Sequence, residues 1–253
     1  MFFLGDTHGN HNYIEYVIKT KKITNQTLIH VGDFGAGATS LKNEMKRFDS
    51  LNTFLNASNN VLHVFRGNHD DPKYFNGDFI FSNLRLEEDY TVIECEGKRI
   101  LGVGGAVSID RELNRGDEFK FWEDEGFVID EEKINGIKDV DILVTHTTTH
   151  FATPYVDTHM ISEIDCWPNI VKHFIGDDPT LPKDLVDERY EVTRLFNLLK
   201  LNNNITKHFY GHYHRSNFQQ YDECDHICLD IGEFYEVVDY SDYENYLTGL
   251  FDE

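Results

Sequence analysis

Five short blocks of this 253-residue chain carry donors suited to metal chemistry. They are Gly5-Asp6-Thr7-His8-Gly9, Gly32-Asp33, Gly67-Asn68-His69-Asp70, His146 and Gly211-His212-Tyr213-His214. Carboxylate, amide and imidazole donors without a thiolate suit borderline divalent ions such as Mn, Fe, Zn or Ni. Asp6-x-His8 and His212-x-His214 place two donors on one side of an extended chain, whose side chains alternate with period two. Glycines beside the donors let the backbone turn sharply there. Seven donors (Asp6, His8, Asp33, Asn68, His146, His212 and His214) are enough for two ions if one carboxylate is shared. A single Asp or His at a strand end is more often a cap or a surface residue. Only the joint placement speaks for a site.

The elements that must position these donors can be read from the pattern. Residues 2–5, 28–31, 61–65, 141–145 and 208–210 are short apolar runs, and each ends at one of the blocks. Helical spacing separates the first three: residues 11–22, with Tyr13, Val17 and Ile18 on one face, then Leu41, Met45, Phe48 and Leu55 behind Ser40 as N-cap. A β-α-β-α-β order predicts parallel strands joined by right-handed crossovers. Such sheets bind ligands beyond the carboxyl ends of their strands. Residues 90–95 and 99–103 predict a hairpin around Glu96-Gly97-Lys98. Short helix 130–137, helix 184–200 and strands 216–221 and 226–231 complete the reading. Residues 147–183, with four prolines, read as a long irregular connection and a candidate lid or specificity loop.

Composition sets bounds. The net charge of −22 repels nucleic-acid phosphates and anionic lipid, so long nucleic acid and membrane surfaces are disfavoured partners. Nineteen Phe and 13 Tyr supply ample apolar surface for a core. No apolar run approaches a membrane span, and residues 1–4 are too short for a signal-peptide core. Cys95, Cys166, Cys224 and Cys228 are scattered and read as reduced thiols, and no second pair completes Cys224-x3-Cys228 as a zinc site. These features point to a cytoplasmic protein.

The order D-x-H, G-D, G-N-H-D, H, G-H-x-H resembles that of the calcineurin-like metallophosphoesterases, and it spans positions 6 to 214. The resemblance implies an α/β fold, a two-sheet β-sandwich flanked by helices (α/β/β/α), here as one domain over 1–253. It also implies two divalent metal ions, Mn first. Asp6, His8 and His214 would hold one, Asn68, His146 and His212 the other, and Asp33 both. Asn68 would also face substrate, and His69 would act there as general acid. Two cations a few Å apart lower the pKa of a bridging water and hold its hydroxide in line with phosphorus. They also explain how so acidic a chain attracts a phosphate ester. The expected substrate is a small soluble phosphate ester, a monoester or a small diester or nucleotide, or a phosphopeptide.

The chain departs from the family's G-D-x-x-D-R-G form, because Gly32-Asp33-Phe34-Gly35-Ala36-Gly37 lacks both the second Asp and the Arg. That argues against a protein Ser/Thr phosphatase or a dinucleoside polyphosphate hydrolase. Residues 104–111, Gly-Gly-Ala-Val-Ser-Ile-Asp-Arg, followed by Trp122-Glu123, resemble a bacterial and phage branch instead. Arg111, or with less reason Arg115, is the candidate replacement for the phosphate-gripping arginine. Two rival readings remain: a non-catalytic scaffold of the same fold, and a nuclease of the same superfamily. His30 and His63 lie inside strands and read as core. His150 reads as a loop residue, and His11, His159, His173, His208 and His226 have no motif. Oligomeric state is left open.

Overall fold

The computed structural model describes residues 1–154 and 169–238. Strand by strand, odd and even residues face different layers, and both faces are covered. Phe2 and Leu4 of β1 (Phe2–Leu4) pack with Ile14 and Ile18 of α1 (His11–Lys21) and with Phe48, Leu51 and Leu55 of α2 (Leu41–Ala57). Phe3, between them in sequence, points the other way, into a core shared with Phe209, Ile142 and Ile227. Its ring stacks on that of Phe209 at 3.8 Å between centroids. Strands buried on both faces read as near-continuous apolar runs, as these do.

The first sheet has the order β11-β1-β2-β3-β4, with β2 (Thr27–His30), β3 (Val61–Val64) and β4 (Leu84–Leu86) parallel to β1. β11 (Phe234–Glu236) joins antiparallel on β1. The second sheet has the order β5-β6-β7-β8-β10-β9. Its β6 (Lys98–Val103), β7 (Ile142–Thr145), β8 (Lys207–Tyr210) and β10 (Cys224–Cys228) run parallel. β5 (Thr91–Cys95) and β9 (Asn217–Tyr221) close the edges antiparallel. Glu96 and Gly97 both have positive φ, 50° and 73°, as a two-residue hairpin of the mirror-image type demands.

Among the described residues, the short α3 (Arg111–Asn114) is followed by α4 (Glu131–Asn135), α5 (Asn169–Phe174) and α6 (Leu181–Lys200). Leu195, Phe196 and Leu199 of α6 and Ile134 of α4 cover the outer face of the second sheet. The layers are therefore helix, sheet, sheet, helix: an α/β fold with two mixed sheets and flanking helices. Among the described residues no helix is long and apolar enough to cross a membrane.

One expectation needs correction. The connection 147–183 is not irregular throughout, since it contains α5 and the start of α6. Pro182 sits in the first turn of α6, where its missing N–H has no intrahelical partner to lose, so it starts the helix rather than breaking it. Asp178 Oδ1 accepts the N–H groups of Thr180 and Leu181 just ahead of that turn. Residues 155–168, including His159 and Cys166, and the acidic tail from 239 lie outside the described residues. Ser40 stands at the N-cap of α2, but its side chain makes no capping bond. The three-residue strands β4 and β11 are too short to show a period and were not anticipated.

Candidate metal centre

The donors are gathered by five parallel strands, β1, β2 and β3 from one sheet and β7 and β8 from the other. Asp6 and His8 follow β1, and Asp33 follows β2. Asn68 and His69 follow β3, His146 follows β7, and His212 and His214 follow β8. Parallel strands end on one side, so both sheets deliver their donors to one rim.

Within the first group, Asp6, His8, Asp33 and His214 each offer a ligand atom, all within 4.8 Å of one another. The Nε2 atoms of His8 and His214 are 2.9 Å apart, and His214 Nε2 lies 3.3 Å from Asp6 Oδ2. In the second, the Asn68 carbonyl oxygen lies 3.2 Å from His146 Nε2 and 2.9 Å from His212 Nδ1. Asp33 stands between the groups. Its Oδ2 is 3.8 Å from His8 Nδ1 and its Oδ1 is 3.1 Å from His146 Nε2. Unshared electron pairs converging this closely repel unless a proton or a cation lies between them. The donor set therefore fits two divalent ions of the nitrogen- and oxygen-preferring kind.

The spacing works by a route other than the extended chain. His8, Asp33, His212 and His214 all have left-handed backbones, with φ of 44°, 55°, 67° and 49°. They sit on tight turns after their strands, and the turns, not a pleat, aim the side chains. Gly67 and Gly211 allow the carboxylates in. A Cβ at Gly67 would lie 2.1 Å from Asp33 Oδ1, and one at Gly211 would lie 2.1 Å from Asp6 Oδ1.

Several contacts fix the orientation of the donors. His146 Nδ1 faces the Val31 carbonyl oxygen at 3.0 Å, so an Nδ1–H there leaves Nε2 turned to Asn68 and Asp33. Asn68 Nδ2 donates to Ser108 Oγ at 2.9 Å, which leaves its oxygen toward the two histidines. Ser108 is itself held by its N–H donating to Glu125 Oε1 at 2.8 Å. Burial disfavours charge on His146, yet Asp33 beside it raises its pKa to about 9. Burial lowers that of His212 well below the usual imidazole range.

Asp70 is the residue whose weight the motif did not reveal. Fully buried, it accepts the N–H groups of Phe34, Gly35, Ala36 and Gly67 at 2.7–3.0 Å. It clips the loop after β2 to the loop after β3. Burial, helped by Asp33, lifts its carboxyl to about 6 although the backbone N–H groups of Gly67, Ala36 and Phe34 pull the other way. Asp70→Ala leaves four buried N–H groups without an acceptor, each costing about 1–3 kcal/mol. We expect a loss of at least about 3 kcal/mol in denaturant unfolding. A loss under about 1 kcal/mol would show that water replaces the carboxylate.

The structure does not put Arg111 in contact with the donors. Its Nε donates to Asp178 and a terminal nitrogen to Asp184, both at 2.6 Å, and Thr180 takes a further bond. Two carboxylates occupy its fork, and it anchors the 104–111 segment to α6. Arg115 is exposed and pairs with Glu112. The arginine that does reach the site is Arg189 of α6, which is buried and lines the same cavity as the donors. It lies on the stripe of Leu185, Val192 and Phe196, and a charged residue on an apolar helix stripe was the available signal.

That cavity has a volume of about 400 Å³. Asp33, Asn68, His69, His212 and His214 form one part of its wall. Ile109, Val171, Phe174 and Leu185 form another, and they pack on one another. Three further histidines have structural surroundings. His30 is buried and bonded to Thr7, His63 pairs with Glu87, and His150 stacks on Tyr190 and bonds Thr193.

The chain is a four-layer sandwich carrying nitrogen and oxygen donors on the loops after its central strands. The chain belongs to the calcineurin-like phosphoesterase family, whose model matches residues 1–216. It is a metal-dependent phosphoric ester hydrolase. Among solved structures, a dimetal phosphatase from Danio rerio is similar over 91% of this chain and 87% of its own, at 10% identity and a TM-score of 0.51. That likeness is one of fold. Phosphopantetheinyl hydrolase from Mycobacterium tuberculosis matches 90% of this chain and 89% of its own, with 14% identity and a TM-score of 0.43. A cold-active protein-tyrosine phosphatase of a psychrophilic Shewanella species matches 92% and 73%, with 13% identity and a TM-score of 0.38. Among curated protein sequences none matches the chain.

Proposed function

We propose that the chain hydrolyses a small phosphate ester at a dinuclear centre. In this reading Asp6, His8 and His214 hold one ion, Asn68, His146 and His212 hold the other, and Asp33 is shared. The observation that carries it is the two-sided setting of Asp33, with one oxygen toward each donor group. Bound there, two divalent ions would activate water and neutralise phosphoryl charge. The chain's own residues do the rest. His69 stands in the cavity wall, its backbone N–H held by Asp33 Oδ1 at 2.8 Å, and its ring donates a proton to the departing oxygen. Arg189 adds a positive charge to the same wall, in the place for which Arg111 was a candidate. Both sheets contribute donors, which supports one domain over 1–253. Thr153, Val171 and Phe174 line the cavity, which supports a specificity role for the described part of 147–183.

The test compares p-nitrophenyl phosphate with bis-p-nitrophenyl phosphate in added Mn²⁺ and in chelator. We expect Mn²⁺-dependent turnover that the chelator removes, and the favoured ester decides between monoester and diester. Absence of chelator-sensitive turnover on both would leave the scaffold reading in its place.

A further inference from the structure

The donor group fills only part of a cavity whose size falls in the range of small-molecule sites. A phosphoryl group at the donors makes no use of the apolar wall of Ile109, Val171, Phe174 and Leu185. Charge on the remaining wall also discriminates. Arg189 is the one Lys or Arg among the described residues that line it, and Asp110 and Glu188 line it too. Arg189 follows Glu188 in the chain, and burial raises the Glu188 carboxyl to about 7 although Arg189 beside it pulls the other way. A second phosphate would therefore meet the Asp110 and Glu188 carboxyl groups and a single arginine.

We infer that the apolar wall is a subsite for the organic group of the substrate, which is a singly phosphorylated ester of an apolar, aryl or alkyl, group rather than a polyphosphate. This rests on the phosphoesterase reading and narrows its substrate class. The wall is continuous with the donors in one cavity, so an ester seated at the metal centre carries its organic group against these four side chains.

The experiment is a calorimetric titration of the Mn²⁺-loaded protein with phenylphosphonate, methylphosphonate and inorganic pyrophosphate. None of these needs to turn over. Burying a phenyl ring predicts phenylphosphonate binding about 10- to 100-fold more tightly than methylphosphonate. Pyrophosphate should bind more weakly than phenylphosphonate. In Phe174→Ala and, separately, Val171→Ala the phenyl-to-methyl ratio should fall toward one, with melting curves confirming that each variant folds. Equal affinities for the two phosphonates, or tighter pyrophosphate, overturn the subsite while leaving the phosphoesterase reading standing. Unchanged ratios in both folded variants also overturn it, because the wall then packs only against the chain itself. Failure of both phosphonates to bind the loaded protein overturns the phosphoryl site and the subsite together.

Discussion

Asp33→Asn should lower kcat/KM on p-nitrophenyl phosphate by more than about 100-fold, since even residues that merely orient metal ligands cost 10–100-fold when changed. Asp33 is 1% exposed and its two oxygens face separate donor groups. The substitution keeps the shape and removes the charge. It also puts an N–H₂ where Oδ1 accepts the His69 N–H or where Oδ2 faces His8, so one side or the other loses an acceptor. Metal analysis of the purified variant should find fewer than two ions per chain. A variant that keeps more than a tenth of the activity and a full metal complement would show that Asp33 is not shared. An Asp33→Asn protein that melts normally and matches an equally inactive wild type would point to the scaffold instead.

His69→Asn should cost about 10²–10⁴-fold on an alkyl phosphate, the usual worth of a general acid. The same change should cost far less on p-nitrophenyl phosphate, because p-nitrophenolate departs without needing a proton. The diagnostic is the dependence of kcat/KM on leaving-group pKa, which should be steeper in the variant. His69 is placed for this, half-buried in the cavity wall with its ring edge-on to His8 at 5.4 Å between centroids. Asp33 also holds its backbone, so the two esters together separate the acid from a purely structural role. A loss of equal size on both esters would sink the acid and leave that structural role.

The sequence disclosed the donors because each follows a buried apolar run and the runs recur in β-α order. Asp6, Asp33, Asn68 and His146 could be placed at strand ends without knowing which strands pair. The rest depended on long-range geometry. Asp70 looked like one more letter of its block, yet its work is to bind three N–H groups of a loop more than thirty residues away. Arg111 and Arg189 are both arginines near acidic neighbours, and what separates them in sequence is only that Arg189 lies on the apolar stripe of its helix. Asp178 and Asp184 claim the first, and α6 carries the second to the cavity. Helix α6 begins three residues before the 184–200 read from the sequence, because Pro182 fits its first turn.

The left-handed backbones at His8, Asp33, His212 and His214 have a consequence for how such a protein evolves. Each holds a side chain where glycine would be at ease, at a cost on the order of 1 kcal/mol or more. Replacing any of the four by glycine would relax the turn and delete a donor in the same stroke. Heat resistance and turnover therefore pull these positions in opposite directions. A lineage selected for ruggedness alone drifts toward glycine there and goes silent, whereas one held to its chemistry must find compensating stability elsewhere, in the two sheets and the helices that cover them.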